Sequence, residues 1–142
     1  MYTQLRKEHH KLISLLDTLD QCVLKGGSIK QFIEHLNEFI KFATEHFKHQ
    51  EEIMQQHNYT EISHHIKEHA ALLARLHSLA RTLSKGDTPF NRGYMNLLRI
   101  WLEMHLVDSD NMLDEFLSPT KRILSKQESA NQDNFVGVYR EF

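Results

Sequence analysis

The chain has 142 residues, enough for one domain with a real core, and 17 Lys and Arg set against 19 Asp and Glu leave a net charge of −2 that excludes strong steering toward nucleic acid or an anionic membrane. One cysteine, Cys22, excludes an internal disulfide and a cysteine-built zinc site, and the unusual number is 11 histidines. No apolar run approaches the roughly 20 residues of a membrane span, and the polar start MYTQLRKEHHK holds no apolar signal core, so the expectation is a soluble, cytoplasmic protein.

Glycine and proline, 5 and 2 in number, fall mostly at Gly26-Gly27, at Gly86 to Pro89 and at Pro119, where they punctuate helices. A further break is His57-Asn58-Tyr59-Thr60, with Asn58 as a left-handed C-cap and Thr60 as the next N-cap. Four helices are predicted, over about 2–25, 29–57, 61–85 and 90–117. The first carries Leu5, Leu12, Leu16, Leu19 and Val23 on a 3,4 alternation that passes through His9. The second carries Phe32, Leu36, Phe39 and Ala43, then His46, Gln50 and Ile53. The third carries Ile62, His65, His69, Leu72, Leu76, Leu79 and Leu83. The fourth carries Tyr94, Leu97, Leu98, Trp101, His105, Met112 and Phe116. Each stripe is the inward face of a bundle helix, and short connections make sequential neighbours antiparallel. The fold class is therefore all-α: an up-down-up-down four-helix bundle over 1–117 with a short C-terminal extension over 118–142. That extension offers a short helix, TKRILSKQES, and then FVGVYREF. Phe135, Val136, Val138, Tyr139 and Phe142 suit docking on the bundle, pairing with a second subunit or binding a partner, with a frayed end as the plain alternative. A monomer or a weak homo-oligomer is expected.

His9, His46, His65, His69 and His105 occupy stripe positions where a core residue belongs. An unpartnered polar group costs roughly 2–7 kcal/mol to bury. Five such imidazoles, with Asp110 nearby, point to a metal as the shared partner. His65 and His69, at i and i+4, lie about 40° apart around their helix and can chelate one ion. Antiparallel alternation brings all five to one end of the bundle. Five exceed the usual ligand set of one tetrahedral zinc, so two metals bridged by carboxylates fit the count better. His10, His35, His49, His57, His64 and His77 fall off the stripes and read as surface imidazoles.

The stretches HHKLISLL, EHFKHQEEIM, HNYTEISHHIKEH and WLEMHLVDSD together resemble the hemerythrin family in its bacterial single-domain form, over roughly residues 2–117. The resemblance implies two iron ions bridged by oxo or hydroxo. It assigns His65, His69 and His105 to one iron, and His9 and His46 to the other, which keeps an open position for dioxygen. It makes Asp110 one bridging carboxylate, and Leu12, Phe47, Trp101, Leu102 and Leu106 the lining of an apolar oxygen pocket. The implied function is reversible binding, storage or delivery of dioxygen, without enzymatic turnover, and with small azide-like anions as further ligands. The alternatives are an oxygen, redox or NO sensor, or an iron-handling protein, acting through a partner.

Two positions depart from a simple reading. The family's second bridge is a Glu four residues after the His of the His-Phe pair, and here Gln50 stands there, followed by Glu51 and Glu52. A neutral amide is a weaker donor than a carboxylate to a hard cation. Three outcomes stay open: Gln50 coordinates through its oxygen with an added anion, a small helix shift brings in Glu51, or the second metal binds weakly or not at all. The other position is the acid. Asp108, at i+3 from His105, is better placed on a regular helix than Asp110 at i+5. The resemblance selects Asp110 and implies a local distortion of the last turns.

Overall fold

The computed structural model describes residues 3–86 and 92–118. Four elements form the bundle: α1 (Thr3–Leu24), α2 (Ile29–Gln56), α3 (Ile62–Ser84), and a fourth rod of α4 (Arg92–His105), a π-helical turn (Leu106–Asp110) and α5 (Asn111–Leu117). α1 packs against α2 and α4, and α3 packs against the same two, which closes the expected four-helix bundle. The expected start of the fourth helix at 90 and 91 lies outside the described residues, and so does the extension beyond Ser118 with its segment FVGVYREF. Among the described residues, no helix is long and apolar enough to cross a membrane.

The breaks have local causes. Gly26, at φ 70°, ends α1 in the left-handed region, where a Cβ is costly, and Gly26 and Gly27 donate back to Val23 and Cys22. Ser28 then opens α2 with a reciprocal cap: its hydroxyl accepts from the Gln31 backbone, and its own backbone donates to the Gln31 side chain. Asn58, at φ 52°, takes the expected left-handed stop after α2, and Tyr59 donates back to the Met54 carbonyl at 3.0 Å. Thr60 is not the next cap. Glu61 holds that position and makes no side-chain capping bond, so α3 is anchored by its buried face.

The apolar residues form two layers. The larger unites Leu12, Leu16, Leu19, Phe32, Leu36, Phe39, Ala43, Phe47, Leu72, Leu76, Leu83, Met95, Leu98, Leu102 and Leu106 with their neighbours. The smaller holds Leu5, Met54, Tyr59, Leu113 and Leu117. On every helix the inward histidines fall between a residue of one layer and a residue of the other, so a polar layer is enclosed by apolar material at both ends.

The stripe of the fourth rod departs from expectation. Leu97 and Met112 are half exposed, 47% and 52%, whereas Met95, Leu102, Leu106, Leu113 and Leu117 are buried. Val23, Ile53, Ile62, Tyr94, Trp101 and Phe116 are only partly buried, and Met54 replaces Ile53 as the inward residue of α2. The π turn explains the far end of the rod. It accommodates one extra residue in its turn, so the inward face resumes one position late, at Leu113 and Leu117 instead of Met112 and Phe116.

Candidate metal centre

The polar layer gathers the seven residues singled out from the sequence. His46, Gln50, His65, His69, His105 and Asp110 are buried, and His9 is nearly so, with 12% of its side chain exposed. Two sets of ligand atoms meet here, each within 4.8 Å of one another: His65, His69, His105 and Asp110, and His9, His46 and Asp110. Asp110 belongs to both. Its Oδ1 accepts from His65 Nε2 at 2.9 Å and lies 3.1 Å from His105 Nε2, while its Oδ2 lies 3.1 Å from His9 Nε2. The π turn is what aims Asp110 inward; Asp108, the choice of a regular helix, is exposed.

Carboxylates outside the layer fix the ring orientations. Glu8 accepts from His46 Nδ1 at 2.7 Å, Glu51 accepts from His69 Nδ1 at 3.2 Å, and Glu68 accepts from His105 Nδ1 at 2.9 Å. Each bond commits the outer nitrogen to carry the proton and turns Nε2 toward the centre. Ser109, within the π turn, donates to the same Glu68 oxygen. Phe47 stacks on His69, with ring centroids 4.0 Å apart and planes 6° from parallel, and so locks that ring from the side.

The electrostatics follow from this packing. Burial resists charge on His69, and the neighbouring His105 and His65 add to it, so its pKa falls to about 2. Burial and His9 lower His46 as well. For His105, burial is outweighed by the carboxylates of Asp110 and Glu68, which push it up to about 9. Asp110 is held well below the usual carboxylate range: burial opposes its charge, but His105 and the bonds from His105, His65 and His9 prevail. The His105 hydrogen bond, against the opposing effect of burial, lowers Glu68 to about 2.

Buried polar atoms nevertheless lack any partner at His46 Nε2, His69 Nε2 and Gln50 Oε1. A fold rarely leaves this many unsatisfied in one place. The imidazoles converge on Asp110 in two sets, and imidazole and carboxylate suit a transition metal, so the residues fit a metal centre with Asp110 between two positions. The sequence of the Hemerythrin HHE cation binding domain family matches residues 1–117. The chain belongs to the hemerythrin family. A bacteriohemerythrin of Methylococcus capsulatus is 23% identical over 111 residues, which span 78% of this chain and 84% of that protein. No solved structure matches the chain.

Within this hemerythrin bundle, a small apolar cavity of about 20 Å³ lies among Phe39, Ala43, Phe47, Leu72, Leu76, Leu98, Trp101 and Leu102. Phe47, Trp101 and Leu102 of the expected pocket line it. Leu12 and Leu106 do not, and pack instead in the surrounding core. Sequence reasoning missed Glu8, Glu68, Ser109 and the outer role of Glu51. It also read His49 as a free surface group, whereas His49 donates to both Glu8 oxygens at 3.1 and 3.0 Å. One signal was available: Glu8 and Glu68 each precede a stripe histidine, so each sits at the edge of the inward face, within reach of the next helix.

Gln50 is fully buried, and its amide faces the shared carboxylate. Nε2 donates to Asp110 Oδ1 at 3.2 Å and lies 3.2 Å from His9 Nε2. An ionised carboxylate only accepts, so the amide must present its NH2 edge to Asp110. Glu51 points away from the centre toward His69 Nδ1, which leaves Gln50 as the residue facing the two-histidine position.

Proposed function

We propose that this chain is a cytoplasmic, non-haem di-iron protein that binds dioxygen reversibly and does not turn over a substrate. The observation that supports it best is the convergence of buried imidazoles on Asp110 in two sets, with His46 Nε2 and His69 Nε2 left without a hydrogen-bond partner. In this reading His65, His69 and His105 hold one iron, His9 and His46 hold the other with Gln50 beside it, and Asp110 spans the two. Bound iron supplies the redox chemistry and the open coordination position that dioxygen needs. The protein supplies the rest. Glu8, Glu51 and Glu68 hold the outer protons so that inward lone pairs are available to metal, and such outer partners commonly contribute 10- to 100-fold in affinity. Phe47, Trp101 and Leu102 keep the approach apolar, which disfavours water and free anions. The bacteriohemerythrin relative supports the same reading.

The test is metal analysis of the purified protein, followed by an anaerobic optical spectrum of the ferrous form before and after exposure to oxygen. We expect two irons per chain at saturation and a visible charge-transfer band that appears with oxygen and fades on its removal. Less than one metal per chain at saturation rules the reading out, and a band that does not reverse rules out carriage. A second reading, sensing through a partner, is favoured by one observation. Leu97, Ile100 and Met104 are 47%, 50% and 59% exposed along one side of α4, the helix that also carries His105. An apolar row of this kind suits a protein contact.

A further inference from the structure

The two metal positions are not built alike. The first has three buried imidazoles and an oxygen of Asp110, a complete set for a four-coordinate ion. The second has two imidazoles, one of them on the partly exposed His9, and the other oxygen of the same carboxylate. Its remaining neighbour, Gln50, offers no charge. The amide also presents the wrong edge, because its NH2 is bonded to Asp110 and only its carbonyl oxygen can bind a metal. That oxygen is buried and unpartnered.

Resting on the di-iron reading above, we propose that the two positions load in order, the three-histidine position first, and that rotation of the Gln50 amide gates the second. When the first ion engages Asp110 Oδ1, the hydrogen bond from Gln50 Nε2 is weakened but no new ligand is offered. When the second ion arrives, the amide turns over, gives up the bond to Asp110 and presents Oε1. The missing negative charge and this broken bond fall entirely on the second step. Oxygen-ligand sites tune affinity over decades through charge count and rigidity, so the second step is on the order of 100-fold weaker than the first. If dioxygen is bound by the pair of irons, as the di-iron reading has it, the oxygen-competent fraction of this chain follows the supply of free metal, with the one-ion form predominating when metal is scarce.

The experiment uses the full chain, stripped of metal and titrated with zinc, a diamagnetic probe, under chelator competition. Nitrogen–proton NMR follows the side-chain amides, with the Gln50 pair identified by its absence from Gln50→Glu. We expect two steps separated on the order of 100-fold, with the imidazoles of His65, His69 and His105 shifting in the first and the Gln50 amide pair shifting mainly in the second. Gln50→Glu should bring the steps within about tenfold of each other. Gln50→Met, which has the bulk but neither the donor nor the oxygen, should leave the first step intact and abolish the second. It serves if the added charge of Gln50→Glu unfolds the metal-free chain. Two equal steps in the parent protein, or a second step unchanged in Gln50→Met, overturns the gate while leaving a two-metal centre standing. Binding of less than one zinc per chain overturns the metal-centre reading itself, and the gate with it.

Discussion

Three rods of the bundle keep an unbroken helical period from end to end, and the fourth does not. On α1, α2 and α3 the inward residues recur without interruption through His9, through His46 and Gln50, and through His65 and His69. On the fourth rod the period holds to His105, slips by one residue through Leu106–Asp110, and resumes at Leu113. The difference follows from what each rod contributes. An imidazole is as bulky as a leucine and can replace one on a regular stripe. Two ligands three or four residues apart fit that stripe without distortion, but His105 and Asp110 are five apart, and only a wider turn puts both on one face. The irregular backbone is thus confined to the one rod that must supply both a terminal imidazole and the carboxylate shared by the two positions.

Changing the length of that turn should break the contrast, and here the largest effect is expected. An alanine inserted between Asp108 and Ser109 rotates everything beyond it by about 100°. Asp110 then leaves the polar layer, and Leu113 and Leu117 leave the apolar one, at a cost of roughly 2–5 kcal/mol for each lost leucine contact. We expect zinc binding to be lost and the melting temperature to fall sharply. Deleting Asp108 should do the reverse. In a regular helix Asp110 would then stand at i+4 from His105, about 40° round, and the two leucines would keep their face. This variant should fold and bind metal. If the deletion proves as damaging as the insertion, the turn does more than absorb an extra residue.

A smaller effect should sharpen the same contrast within α5. A continuous period buries Met112, whereas the slipped period buries Leu113, which is 1% exposed against 52% for Met112. Leu113→Ala should cost about 2–5 kcal/mol in a urea melt, and Met112→Ala less than about 0.5. Comparable losses at the two positions would mean that the slip is not present in solution.

The same contrast marks how far the amino-acid sequence could be read. Bundle, helix limits and five inward histidines are all legible, because they depend on one periodicity and a few breakers such as Gly26 and Asn58. The sequence pattern goes astray at Met112, because nothing in the residues Leu106 to Asp110 announces a wider turn. The choice of Asp110 over Asp108 came from family resemblance, not from helical phase. The outer carboxylates were hidden for a different reason. Glu8, Glu51 and Glu68 are partly exposed and lie beside the inward stripe, where an acidic residue is ordinarily a solvated one. Their bonds to the inward histidines cross from one helix to the next, and a contact of that kind is set by packing and not by local spacing.

The smallest expected effect concerns the charge states of the metal-free protein, and it divides the imidazoles along the same line. His69 and His46, on unbroken helices, are held neutral, and His105, beside the π turn, is held charged. For a histidine with a lowered pKa, the unfolded chain takes up a proton below its ordinary value of 6.5 that the fold refuses. Stability is therefore lost as pH falls below about 6.5, by up to about 1.4 kcal/mol per unit for each such imidazole. His105 has the opposite sign. Its contribution is fully present below the unfolded value and is lost as pH rises toward about 9, its value in the fold. Asp110 and Glu68 remain ionised across this interval, since both lie far below it, and do not alter the slope. The metal-free protein should therefore be most stable near pH 6.5 and decline on both sides. Glu68→Gln, which removes one of the two carboxylates at His105 and leaves Asp110 in place, should make the alkaline decline shallower and leave the acid one unchanged. Urea melts between pH 5 and 9, with ring-proton NMR titration of the assigned histidines, read both limbs; an alkaline limb unchanged by Glu68→Gln would show that Glu68 does not help to hold the charge on His105.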